Sequence, residues 1–343
     1  MSGASSPAKA RVGLMFLLVC ALLVLSMVSA VTLGDAHLSV PQVVMALRHG
    51  PNGPSGDDQI VWLVRLPRIV MAALVGASLA GAGLAFQSLL RNDLADPYLI
   101  GVSAGASVGA EAVLLRGAEA LWRGFAVPMA SFLSATAAMA VVYSLARRGG
   151  RVLVTSLLLG GVVVSAFLGS ISTLLLELGH AEDAQRIQYR LNGSLEDATF
   201  TQCGVVLLFL ALGVLVLMLE ARHMNLFALG EESAQQLGLE VEQFKTVLIL
   251  TGALLTAATV AFAGIIGFVG LMVPHLARRL AGTPDHRRVL PLALTTGGVL
   301  MVWADTLARI ALPDGRELPV GLVTALLGAP FFCYLLRRQS RFR

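Results

Sequence analysis

The run RLPRIVMAALVGASLAGAGLAF (residues 65–86) sets two arginines and a proline at the head of a long uncharged stretch. From Ile69 to Leu90, 22 residues carry no ionisable side chain. About 20 apolar residues at 1.5 Å rise each suffice to cross a bilayer, so this stretch reads as a membrane helix with its arginines at one mouth.

The whole chain has the same character. Its 343 residues are 56% hydrophobic and 13% charged, with a mean hydropathy of +0.79. A soluble domain carries about 25% charged residues, so this is an all-α polytopic membrane protein. Apolar runs bounded by charges, Pro or Gly predict ten spans. They lie near 12–34, 62–88, 98–116, 122–145, 153–177, 201–220, 244–264, 267–281, 289–311 and 318–336. The first follows Lys9 and Arg11 and is long for a signal-peptide core, so it is expected to be a first transmembrane helix. The eighth contains Pro274 and follows its predecessor almost without a loop, so it is expected to be short or broken. No tandem repeat, low-complexity tract or soluble domain interrupts the chain, which reads as one transmembrane domain over 1–343.

With both termini inside, 16 of the 25 lysines and arginines fall on the inner side. That bias fits the positive-inside rule, and an even number of spans returns the chain to the side on which it began. Arg65, Arg68 and Arg309 then face outward, where positive charge is sparse. Small residues recur every four positions at Gly76/Ala80, Ala77/Gly81 and Gly101/Gly105/Gly109, which puts each set on one helical face. Close helix packing in lipid explains them; the wall of a pathway is the sharper alternative.

Few motifs suggest chemistry on this chain. GVSAG (101–105) matches the G-x-S-x-G elbow, with His275 and Asp305 as conceivable partners of Ser103, but that motif needs a strand-to-helix turn. There is no phosphate-binding G-x-x-x-x-G-K-[ST] and no H-E-x-x-H. Any ATP that drives transport must therefore bind another chain. Cys20, Cys203 and Cys333 lie in or beside apolar runs and read as small hydrophobes. The histidines are scattered over different segments, and no metal site is expected. A net charge of +4, spread between apolar runs, gives no nucleic-acid patch. Glu111 and Asp305 are intramembrane acids of the kind that proton-coupled transporters use. Asp305 lies one turn before Arg309, where an ion pair would account for it; Glu111, five residues before Arg116, would reach the outer interface.

The longest polar inner stretch, EARHMNLFALGEESAQQLGLEVEQF (220–244), alternates apolar and acidic residues and is broken by Gly230 and Gly238. It predicts one or two short amphipathic helices on the inner surface, either a solvated connector or a docking surface.

Taken in order, RLPR…GASLAGAGLAFQSLLRNDLADPYLIGVSAGASVGA, FALGEESAQQLGL, GFVGLMVPHLARRLAG, DHRRVLPLA, ADTLAR and ELPVGLVTALLGAPFFCYLL resemble the conserved blocks of the FecCD family of permeases. The resemblance runs from about residue 60 to 337. It implies the ten-helix fold of the vitamin B12 permease type, with an inverted pseudo-repeat, in a type II ABC importer for ferric siderophores, haem or vitamin B12. An iron chelate is favoured over a corrinoid. A homodimer with the pathway at its interface, two cytoplasmic ATPase subunits that carry the ATP and Mg, and a periplasmic or lipid-anchored binding protein are implied as well. The setting is a bacterial inner membrane, with both termini cytoplasmic.

Residue by residue, the resemblance gives Arg65, Arg68 and Arg309 the role of receiving acids on the binding protein. It makes 224–241 the ATPase-coupling segment, with Leu229, Gly230, Glu231, Glu232, Ala234, Leu237, Gly238 and Leu239 as its contacts. Asn92 and Leu94 match one cytoplasmic gate loop, and Val154 and Thr155 fall in a second. Two departures stand out. NDLADP has Asp93 where the family has proline, which bears on the loop's rigidity. QRIQYRLNGSLED keeps Gly193-Ser194-Leu195 but has Arg190 at a tryptophan-like position, with Arg186 one turn earlier. These two arginines would either attract an anionic cargo at the outer mouth or pair with Glu182, Asp183 or Asp197. A secondary transporter working through Glu111 or Asp305, and a hydrolase at Ser103, are the competing readings.

Overall fold

The computed structural model describes residues 7–34, 38–118, 121–179, 187–312 and 316–339. Each predicted span is a helix. In chain order these are α1 (Pro7–Thr32), the short α2 (Val40–His49), α3 (Gly56–Leu90), α4 (Val102–Leu114), α5 (Ala126–Ala146), α6 (Val154–Leu178), α7 (Phe200–Phe227), the short α8 (Glu231–Gln236), α9 (Val241–Ala263), α10 (Val269–Ala281), α11 (His286–Ile310) and α12 (Val320–Gln339). Among the described residues, seven of these (α1, α3, α5, α6, α7, α9 and α11) are long and apolar enough to cross a membrane. The α4 helix and most of α12 are shorter apolar helices. As expected from Pro274, α10 is short, at 13 residues.

Burial sorts the helices into two layers. In their most apolar windows, 78% of α3 and 72% of α9 are buried, against 17% of α1 and 22% of α6 and α7. The outer helices turn leucines and valines such as Leu17, Leu159, Val163 and Leu208 away from the protein. Lipid tails are as apolar as those side chains, so the inner helices must be held by close contact rather than by the hydrophobic effect. Glycine supplies that contact. Gly76 of α3 meets Gly297 of α11 backbone to backbone, so that a methyl on either would collide with the other's carbonyl. A methyl on Gly83 would likewise strike the carbonyl of Gly270 of α10, while Gly105 and Gly109 seat α4 on α5. The fourfold glycine spacing is thus a packing device.

Two elements had no counterpart among the expected spans. The first is α2, an amphipathic helix that buries Val43 and Ala46. It is fastened to the start of α3 by Trp62, whose indole N–H donates to Ala46 O at 2.9 Å, and by His49 against Asp58 at 3.3 Å. The second is a hairpin of β1 (Arg147–Arg148) and β2 (Arg151–Val152), which turns the chain from α5 into α6.

Candidate functional site

The three arginines read as outward-facing gather at one end of the bundle, but they are turned inward. Arg65, Arg68 and Arg309 are each only 5% exposed. Arg68 Nε donates to both oxygens of Asp305, at 2.9 and 3.1 Å, and its Nη1 lies 2.7 Å from Glu317 Oε2. Arg309 Nε lies 3.3 Å from Asp305, the one-turn pair that the spacing suggested. Other donors go to the C-terminal end of α1: Arg309 reaches Leu33 O and Ala30 O, and Arg65 reaches Val31 O. A helix end leaves its last carbonyls without partners and carries about half a negative charge. Among the described residues, three guanidiniums therefore meet two carboxylates and a dipole end. The π-helical turn Ile60–Arg65 leads directly into this cluster.

At the opposite end, α7 continues to Phe227, beyond the predicted 201–220, and gives way to α8 between two left-handed glycines. Gly230 and Gly238 have φ of 116° and 88°, conformations that only glycine adopts without strain. One short helix therefore stands where one or two were expected. Ala234 and Leu239 are buried beneath it, whereas Leu229 and Leu237 are 65% and 60% exposed. Glu231 is held at 2.6 Å by Lys245, which leaves Glu232 as the acid facing outward.

Lys245 is itself nearly buried and joins three segments. Besides Glu231 it contacts Glu242 at 3.1 Å and donates to Val152 O at 3.3 Å, while Glu242 accepts from Val152 N at 2.5 Å. Val152 is two residues before Val154, so α8 is tied to the start of α6. Val154 is half-buried and Thr155 exposed. A second tie runs to the other proposed gate loop. Arg91, in a left-handed cap at φ 46°, lies 5.7 Å from the centre of the Phe227 ring. Asn92 Oδ1 then accepts from Leu94 N at 2.9 Å, with Asn92 exposed and Leu94 half-buried. Asp93, the residue that departs from proline, pairs with Arg278 of α10 at 2.8 Å, and Arg278 also donates to Gln87. Further on, burial pushes the Asp96 carboxyl up, against the backbone N–H of Tyr98, which holds it down. Beside these, His286 bridges Ser88 at 2.9 Å and Asn225 at 2.7 Å.

Arg190 pairs with Asp197 at 3.4 Å, one of the partners anticipated for it. Arg186, Glu182 and Asp183 lie outside the described residues. The Gly193 turn is structural: Ser194 N donates to Ala263 O, Ile265 N to Leu191 O and Val320 N to Gly193 O, all within 3.0 Å. At φ 91°, Gly193 holds a backbone conformation that strains any other residue, and it packs tightly against Gly321 and Ile265.

The intramembrane acids divide. Asp305 is consumed by the arginine cluster. Glu111 does not reach an interface near Arg116, as its position suggested; it is wholly buried and accepts a hydrogen bond from Ser172 of α6. Ser103 stands in the first turn of α4, not at a strand-to-helix turn, and Asp305 faces Arg68 and Arg309, so no hydrolytic triad involves them.

Comparison with known proteins agrees with this geometry. The sequence model of the FecCD transport family matches residues 21–338. A cobalamin import system permease protein of Halobacterium salinarum is 42% identical over 287 residues, covering 84% of this chain and 76% of its own. A hemin transport system permease protein of Yersinia pestis is 38% identical over 286 residues, covering 82% and 85%. A chain assigned to the metal-chelate type of ABC transporter, solved in an inward-facing conformation, superposes with a TM-score of 0.82 at 28% identity, over 95% of this chain and 99% of that one.

Proposed function

The chain belongs to the FecCD transport family, and from that premise we propose that it carries a bulky metal chelate inward as the membrane permease of an ATP-driven importer. It is not an enzyme; ATP hydrolysis resides on a separate chain. The observation that carries the proposal is α8. A six-residue helix set off by two left-handed glycines shows Leu229, Leu237 and Glu232 to solvent beyond the apolar spans. A chain without a phosphate loop needs such a surface to receive an ATPase.

In this reading both termini and α8 are cytoplasmic, and the arginine cluster lies at the outer face beneath a substrate-binding protein. Two copies of the chain enclose the pathway, with one ATPase on each α8. Closure of the ATPases moves α8, and Lys245 and Arg91 pass that motion to the gates at Val154–Thr155 and Asn92–Leu94, a rigid-body alternation of access. Acids of the binding protein would compete with Glu317 for Arg68, because Glu317 is the most exposed member of the cluster at 25%. Arg186 and Arg190 would flank the cargo's entry.

The cargo we favour is haem or a ferric siderophore. A corrinoid is the second reading, supported by the 42% identity to the cobalamin permease. Cells lacking this chain, grown on haem, hydroxamate, catecholate or carboxylate siderophores as single iron sources, should fail on one of them and recover with the gene. Failure of cobalamin uptake alone would transfer the assignment to corrinoids. Full activity of a chain carrying Leu229→Arg and Leu237→Arg would overturn the role given to α8.

A further inference from the structure

Between α5 and α9 runs an open groove of about 520 Å³, lined by Phe132, Ala135, Met139, Tyr143, Leu250 and Leu254. From Phe132 to Tyr143 it follows α5 for about 16 Å, at 1.5 Å per residue. That is close to one leaflet's share, about 15 Å, of the hydrocarbon core. One end is polar, where the Tyr143 hydroxyl meets Thr246 Oγ1 at 3.0 Å.

The Arg147–Val152 hairpin lies across that same end and is fixed to both walls. It grows directly from the last turn of α5, with Leu153 N donating to Ala146 O at 3.1 Å. Val152 is bonded through N and O to Glu242 and Lys245 in the first turns of α9. Arg147, Arg148 and Arg151 are all exposed, and among the described residues none of the three has an ion-pair partner. Glu231 and Glu242 share Lys245, so four basic groups face two acids and the hairpin keeps net positive charge.

We infer that this groove binds one acyl chain of an anionic phospholipid whose phosphate is held by Arg147, Arg148 and Arg151. Guanidinium groups fit phosphate oxygens in pairs, and basic clusters at the membrane boundary attract anionic headgroups in the cytoplasmic leaflet. Its leaflet rests on the orientation proposed above; the groove and the charge do not. The position of the hairpin gives the lipid a further role, because a bound headgroup would stabilise the turn that leads into α6 and the gate at Val154.

The test uses the full chain purified in detergent, supplied with phosphatidylglycerol or phosphatidylcholine of matched acyl chains and examined by native mass spectrometry. The wild type should retain one phosphatidylglycerol, at least tenfold in preference to phosphatidylcholine. Charge removal by R147Q/R148Q/R151Q, or filling of the groove by Ala140→Trp, should each cut that retention at least tenfold. Both changes lie at exposed positions, and an unchanged melting temperature would show that the fold survives them. Equal retention of the two lipids, or retention by either variant, would overturn the site. Loss of a copurifying ATPase from the triple variant with lipid retention intact would instead make the hairpin a protein-docking surface. Failure of the importer assignment would show in transport assays and would leave the lipid result standing.

Discussion

The two ends of the bundle spend charge in opposite ways. At the Arg65 end, Arg68 and Arg309 share the carboxylate of Asp305, all three sealed from solvent, while clamping α1, α3 and α11 together. At the α8 end, the pairs Lys245–Glu231, Lys245–Glu242 and Arg278–Asp93 each have a partly exposed carboxylate, and they join short, glycine-bounded segments. A buried ionic cluster is costly to open because each charge would be left without solvent or partner. A half-exposed pair is worth at most about 1 kcal/mol, since water can replace either partner. The first end therefore resists separation of its helices, and the second yields at lower cost.

The largest expected effect comes from Asp305→Asn. It leaves Arg68 and Arg309 facing each other without the carboxylate between them, and should cost about 3–5 kcal/mol, the usual penalty for breaking a buried pair. Thermal melting of the solubilised chain reads this directly, as a large fall in Tm and in folded yield. A shift no greater than that of a surface variant would mean that the cluster is hydrated and would erase the contrast between the two ends.

Lys245→Gln should do the reverse, sparing the fold and harming the transport cycle. Glu231 and Glu242 are 44% and 32% exposed, so each can be solvated once the lysine is gone. The stability loss should stay near 1 kcal/mol. Uptake per ATP hydrolysed in proteoliposomes should nonetheless fall several-fold, because α8 would no longer be tied to Val152. Coupling that stays intact would show that motion reaches the gates by another route, Arg91 on Phe227 being the candidate.

How much of this was legible in the sequence follows from what is local. The ten apolar runs became ten helices because length and hydropathy are properties of neighbouring residues. The Asp305–Arg309 pair and the break at Gly230 and Gly238 were legible for the same reason. By contrast, α2 is only ten residues long and depends on Trp62 and Asp58 of the next helix, so its apolar face had no visible partner. The burial of the arginines is not legible in the same way, because Asp305 lies 237 residues from Arg68 and Glu317 still further. No periodicity within one helix announces a partner so distant. Lys245 counts only among the inner-side charges: a lysine in the first turns of an apolar run reads as an ordinary interfacial charge until Val152 and Glu231 are seen against it.

Asp93→Pro gives the smallest expected effect and the finest test of the comparison. Asn92 O accepts from Ala95 N at 3.1 Å, which makes residues 92–95 a β-turn with Asp93 at its second position. That is the position at which proline's fixed φ suits a turn. The substitution gives up the 2.8 Å contact with Arg278, whose partner carboxylate is 54% exposed, at a cost of about 1 kcal/mol or less. It gains about 0.4–1 kcal/mol by restricting the unfolded chain. The two nearly cancel, so Tm should move little and uptake should stay within about twofold of wild type. Asp93→Lys, which sets a second cation against Arg278 and has no turn preference to offset it, should fall below both. If Asp93→Pro instead abolished uptake with the fold intact, the ion pair would be a working part of the gate rather than a substitute for a rigid turn, and the α8 end would depend on its charges more than their exposure implies.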